Sequence, residues 1–149
     1  MKVATFRAKC PKSTCLLDID VPLLSDFSYG EFMYGSIDGK SIKYYCGLDC
    51  KTWKFVDAVI SEISKDEKPT EQGVVIQKII GCIADRDDKD IYFTQDIYCP
   101  ECQTKIKATN ADVQTGVRDY PDLTFAGFES LNHEDRRNKI QELLKIIEF

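Results

Sequence analysis

Six of the seven cysteines fall into three close pairs, Cys10/Cys15, Cys46/Cys50 and Cys99/Cys102, spaced C-x4-C, C-x3-C and C-x2-C. All three spacings suit zinc, which takes four thiolate or imidazole ligands at tetrahedral angles with Zn–S about 2.3 Å. A tight turn after a strand brings two thiolates to one ion, and Pro11 and Pro100 follow the first cysteine of two pairs, where they set the bend. One ion needs two pairs. The set expected is Cys10, Cys15, Cys46 and Cys50, because each of these pairs ends or starts a predicted strand and the intervening Asp38-Gly39 turn would fold them together. Two other combinations stay open: Cys46/Cys50 with Cys99/Cys102, and Cys10/Cys15 with Cys99/Cys102. A chain without metal or with a different cluster also stays open. A second ion on Cys99, Cys102, Cys82 and His133 has nothing in the sequence to fix its geometry. Cys82 sits in an apolar run and reads as a small hydrophobe. His133 reads as a solvated residue beside a helix cap.

Other chemistry has less to stand on. The chain contains no P-loop, no G-x-G-x-x-G, no G-x-S-x-G and a single histidine, so general acid–base catalysis lacks its usual group. Cys99-Pro100-Glu101-Cys102 has the form of a redox C-x-x-C. Such a motif normally opens a helix, whereas Gln103-Thr104-Lys105-Ile106-Lys107 reads as a strand.

The elements that must position these cysteines follow from hydrophobic periodicity. Strands are expected over Val3–Lys9 and Leu16–Val21, with Leu17, Ile19 and Val21 alternating against Asp18 and Asp20. A hairpin joins Phe27–Gly35 to Ser41–Tyr45 through Asp38-Gly39. A helix over Leu48–Ser64 carries Trp53, Val56, Ile60 and Ile63 on one face, with Asp49 in its first turn. A second helix, capped by Thr70, runs to Ala84 with Ile76, Ile79, Ile80 and Ile83 as its stripe, although its β-branched residues also suit a strand. Strands follow over Ile91–Tyr98 and Thr104–Ala108. Residues 110–130 read as irregular, with Gly116, Pro121 and Gly127 as breakers. Asn132 caps a last helix with Ile140, Leu143, Leu144 and Ile147 on its buried side. The only internal echo is the pair of Cys-Pro turns. The fold class expected is α+β: β-hairpins of zinc-ribbon type with two to three helices. Residues 1–149 are expected to form one domain, with 1–66 and 70–149 as candidate lobes.

The first of those lobes carries a resemblance. Cys-Pro-x3-Cys, an aspartate–glycine turn about 25 residues on, and then Tyr45-Cys46-x3-Cys50-x2-Trp53 resemble the zinc ribbons of uncharacterised bacterial proteins over residues 6–55. The usual ribbon knuckle is C-x2-C, whereas these are x4 and x3. The resemblance implies a metal and a scaffold and no reaction.

The chain opens without the apolar run of a signal peptide, and no stretch approaches the roughly 20 apolar residues of a membrane span. The expectation is a cytoplasmic protein whose thiols stay reduced, which favours metal ligands over disulfides. The net charge of -5 comes entirely from residues 69–149, which carry 10 Lys+Arg against 15 Asp+Glu. Seven cations, Arg7, Lys9, Lys12, Lys40, Lys43, Lys51 and Lys54, lie near the first two pairs. Interspersed acids (Asp18, Asp20, Asp38, Asp49) make them partners of a negatively charged zinc–thiolate centre rather than a nucleic-acid patch. The function expected is a zinc-stabilised, non-catalytic binding protein for a basic protein partner, for instance an inhibitor or immunity protein. The alternatives are a nucleic-acid-associated ribbon protein and a thiol oxidoreductase. The contact surface is expected in residues 85–135, with Tyr120, Phe125 and Phe128 either anchoring the partner or packing under the last helix.

Overall fold

The chain folds as an α+β protein of short antiparallel sheets and four helices, in a computed structural model that describes residues 1–25, 29–63, 69–88, 90–107 and 113–147, the side chains of 69 and 70 excepted. Its elements are β1 (Lys2–Lys9), β2 (Asp18–Pro22), β3 (Glu31–Ser36), β4 (Ile42–Cys46), α1 (Lys51–Ile63), α2 (Pro69–Ile83), β5 (Phe93–Thr94), β6 (Ile97–Tyr98), β7 (Lys105–Ile106), β8 (Val113–Asp119), α3 (Ala126–Glu129) and α4 (His133–Ile146).

Strand β1 is the centre of the first sheet. It pairs antiparallel with β2, from Thr5↔Pro22 to Lys9↔Asp18, and on its other side with β8, from Lys2↔Asp119 to Arg7↔Val113. β8 lies where irregular chain was expected. Its residues are exposed except for the half-buried Gly116, so no alternation of buried apolar positions announces it. The glycine that reads as a breaker sits at a bulge, where Thr5 faces Gly116 but Phe6 already faces Gln114. The strand is selected by backbone pairing to β1, supported by contact between the Thr5 and Thr115 hydroxyls at 2.9 Å.

The expected Asp38-Gly39 hairpin forms between β3 and β4, and β5 adds to the far side of β3. Asp38 closes the turn by accepting from the Ser36 hydroxyl at 2.6 Å and the Lys40 N–H at 3.1 Å, while Gly39 takes φ 77°. The single strand expected over Ile91–Tyr98 is instead two. The Asp96 N–H bonds back to Thr94 Oγ1 at 3.1 Å, and the break lets β5 join β3 while β6 pairs with β7. The part of the expected first hairpin strand at 27–28 lies outside the described residues, and that strand begins at Glu31.

Both long central segments are helical. α1 buries Thr52, Val56, Val59 and Ile60, while Ile63 at the end of the expected stripe is 45% exposed. Asp49 is not in its first turn. It precedes the helix in left-handed backbone, φ 57°, which short polar side chains tolerate. α2 begins at Pro69, a residue suited to the first turn because its missing N–H would have no helical partner. The Thr70 cap lies outside the described side chains. Ile76, Ile79, Ile80 and Ile83 are all buried, and they meet Val56, Ile60, Tyr34, Phe93 and Ile140 in the main core. Gly81 is where α2 touches the sheet, since a Cβ there would run into the Phe93 carbonyl. α4 starts as expected, with Asn132 Oδ1 accepting from the Asp135 N–H at 2.8 Å, and Ile140 fully buried.

Candidate metal centre

Two strand–turn–strand units carry the site. In the first, β1 runs into Cys10, the turn closes through Cys15 N–H donating to Lys12 O at 2.9 Å, and the chain returns in β2. Cys10 N–H donates to Leu17 O at 2.8 Å, and Leu16 takes a left-handed φ of 53°. The second unit repeats the plan between β6 and β7. Cys99 N–H donates to Thr104 O at 2.8 Å, Gln103 N–H donates to Cys99 O at 2.8 Å, and Gln103 has φ 60°. In both turns the left-handed residue directly follows the second cysteine. It reverses the chain so that both thiols of a pair project to the same side.

The two turns face one another. Cys10 Sγ lies 3.4 Å from Cys102 Sγ, Cys15 Sγ lies 3.7 Å from Cys99 Sγ, and all four sulfurs fall within 4.8 Å of one another. Four sulfurs about 2.3 Å from a tetrahedral zinc would be about 3.8 Å apart, so the cluster has the dimensions of a tetrathiolate site. Cys10 and Cys99 are buried, and Cys15 and Cys102 are half-buried. Ala8, Val21 and Ile106 are buried in the same cluster, with Phe6, Ile19 and Ile97 packed against it. The hairpin turn braces the second unit from outside, because Gly39 lies so close to the Cys99 and Tyr98 carbonyls that a Cβ would meet them at 2.6–2.7 Å.

The thiols are electrostatically unequal. Burial pushes Cys10 up to about 12. Cys15 is also raised: the Leu17 backbone favours its thiolate, but burial and the neighbouring Cys99 and Cys102 outweigh that. Cys102 is pulled down to about 6 by the hydroxyl of Thr104, 3.2 Å from its Sγ, and by the Thr104 backbone. A divalent cation reverses the cost of burying the others, since thiolates bind it only after losing their protons.

The expected set of Cys10, Cys15, Cys46 and Cys50 is not assembled. Cys10 and Cys15 are brought to Cys99 and Cys102, while Cys46 and Cys50 stand apart from that group. Cys46 ends β4 and packs beside Val3, Tyr44 and Tyr120. Cys50 lies one residue before α1, its carbonyl accepting from the Lys54 N–H at 3.1 Å and its side chain against the main core. The hairpin expected to bridge them belongs to the β4–β3–β5 sheet, whereas β1 lies in the β2–β1–β8 sheet. The signal for the assembled set was the echo of the two Cys-Pro turns. Both are strand–turn–strand units, while Cys46/Cys50 leads from a strand into a helix. Cys82 is half-buried on α2, and His133 is exposed at the start of α4 with its ring edge-on to Phe55 at 5.2 Å.

Among the described residues, two of the seven cations make salt bridges: Lys43 binds Asp87 at 2.9 Å and Lys54 lies 3.6 Å from Asp49. Among the described residues no helix is long and apolar enough to cross a membrane. No protein-family model, no curated protein and no solved structure matches the chain. The four-cysteine cluster, of the kind a zinc-ribbon-like module carries, is what defines the candidate site.

Proposed function

We propose that Cys10, Cys15, Cys99 and Cys102 hold one structural zinc ion, and that the protein so stapled acts by binding a basic protein partner without catalysis of its own. The observation that carries the metal reading is the mutual approach of four thiols from two distant turns. An all-sulfur tetrahedral donor set suits zinc, and four protein ligands leave no open position for substrate or water, which is the pattern of structural sites.

The binding reading rests on charge. Several carboxylates of the acidic half are already committed: Asp85 to the backbone of α3, Asp87 to Lys43 and Ser41, Asp119 to the N-terminal ammonium, and Glu129 to Thr52. The exposed Asp90, Asp122, Glu134 and Asp135, together with Asp88, whose carboxylate accepts only from the Asp90 N–H at 3.2 Å among the bonds described, present negative potential, which steers a basic partner and fades with salt. Tyr120, Phe125 and Phe128 are buried at 3–6% exposure and serve the core. The contact therefore relies on the carboxylate face, in the manner of an inhibitor or immunity protein covering a basic toxin.

The test is affinity capture from the source cell at low and high salt, using wild type and an Asp88→Lys/Asp90→Lys variant. A basic protein held stoichiometrically by wild type, and lost in the variant or at high salt, supports the reading. Capture of nucleic acid, or capture indifferent to both changes, contradicts it.

A further inference from the structure

A cleft of about 400 Å³ lies outside the thiol cluster, where β2, the β3–β4 turn, β6 and the end of β8 converge. That is within the range of small-molecule sites, roughly 300–1,000 Å³. Ile19, Ile42 and Ile97 supply apolar wall, and Pro100 of the second cysteine turn adds to it.

Three polar groups on this wall have unfilled capacity. Tyr120 is 3% exposed, and its hydroxyl makes no close hydrogen bond among the described residues, an unfavourable state for a buried donor, with the Arg118 side chain and the Asp20 carboxylate near enough to act on it. Arg118 stacks its guanidinium 5.5 Å from the centroid of the Tyr120 ring, and it makes no salt bridge among the described residues. Lys40 likewise makes no salt bridge among the described residues, although, behind the Ser36 hydroxyl, its charge helps to hold the neighbouring Asp38 carboxyl below its usual value. Two acids, Asp20 and Asp119, line the same cleft, and Asp119 is committed elsewhere. Asp119 is held by the N-terminal ammonium at 2.8 Å, while Asp20 stands across from Arg7 in the β1–β2 register without a salt bridge among the described residues, so it is the acid an anion would have to outcompete. Two cations, a buried hydroxyl donor and an aliphatic wall therefore share one concavity.

We propose that this cleft binds a small organic anion. Its carboxylate or phosphate group would be met by Arg118 and Lys40 and receive a hydrogen bond from the Tyr120 hydroxyl, while an apolar body lies on the isoleucines. A planar guanidinium held on an aromatic face is suited to a two-oxygen anionic head. The inference does not depend on the identity of the metal or of a protein partner.

The experiment is amide NMR titration of the full metal-loaded chain with 1-naphthoate, 1-naphthyl phosphate and the neutral 1-naphthamide. Saturable shifts are expected at Lys40, Ile42, Ile97, Arg118 and Tyr120 with at least one anion. The tighter anion identifies the head group. Binding should weaken at least about tenfold for the amide and in Arg118→Ala, as expected when a charge-assisted contact is lost. Arg118 is exposed, so its variant should retain the wild-type spectrum elsewhere, and Lys40→Ala supplies an independent check in the same direction. Absence of saturable shifts at these residues up to millimolar ligand would overturn the proposal. So would equal affinity for the amide, or affinity unchanged in both variants.

Discussion

Cys10 Sγ and Cys102 Sγ lie 3.4 Å apart although 92 residues separate them. Between them the chain builds the β3–β4 hairpin and helices α1 and α2. An ion at this point would close a long loop and tie β1 and β2 to β6 and β7.

The tie matters most for the second turn. β6 and β7 have two residues each, and so short a hairpin has little stability alone. Chelating the metal is expected to expose the Cys99 and Gln103 amides to hydrogen exchange first, while Ile79, Ile80 and Val56 in the helical core keep their protection longer. Exchange measured residue by residue checks this. Simultaneous loss of protection at both places would mean that the centre is not a local staple.

Metal-free protein should show one distinctive thiol. Cys102 is lowered to about 6 and half-buried, whereas Cys10 is raised to about 12 and buried. Alkylation of chelated, folded protein should therefore modify Cys102 first, with its rate levelling off above about pH 6 to 7 as the thiolate becomes complete. In wild type loaded with metal the same site should be protected. Peptide mapping after a short iodoacetamide pulse reads both results. Replacing Thr104 with Val should move the inflection upward, because its hydroxyl is the leading cause of the shift.

Two glycines of α2 should respond in opposite directions to alanine. At Gly81 the added Cβ collides with the Phe93 carbonyl, which is backbone and cannot rotate away, so Gly81→Ala should destabilise by roughly 1–3 kcal/mol. At Gly73 nothing lies within 4 Å, so Gly73→Ala should stabilise by about 0.5–1 kcal/mol through helix propensity. Urea denaturation of the two variants measures the difference.

Asp85 is expected to make stability acid-sensitive. Burial opposes its ionisation, but the Gly127 N–H, the Thr124 hydroxyl and the Ala126 N–H together hold its carboxyl below the usual value of 3.8. The bonds are 2.9, 2.7 and 2.8 Å. A lowered native value means that this contribution is present above pH 3.8 and lost as the pH falls below it. Asp85→Ala should cost about 1–2 kcal/mol at neutral pH, as for loss of a helix cap. The gap between wild type and variant should narrow in acid. Denaturation midpoints at pH 7 and pH 3 test both parts.

Much of the fold was legible because local pattern and tertiary environment agree. The isoleucine stripe of α2, the Asn132 cap and the Asp38-Gly39 turn are each specified by residues within a few positions of one another. β8 was not legible, because its stability comes from a strand more than 100 residues away, while its own side chains face solvent and its glycine accommodates a bulge. The cysteine pairs were legible as pairs, since each turn is local. Their partnership was not, because it depends on which sheet each turn belongs to. Cys46 and Cys50 have an acceptable zinc spacing, yet their strand-to-helix setting directs them into separate packing clusters.

The zinc content of three purified proteins separates the Cys10/Cys15/Cys99/Cys102 centre from every other ligand set: wild type, Cys99→Ser, and the double variant Cys46→Ala/Cys50→Ala. One zinc per chain is expected in wild type and in the double variant, and loss of zinc in Cys99→Ser. Zinc absent from freshly reduced wild type, or lost from a folded double variant and retained by Cys99→Ser, would contradict that assignment.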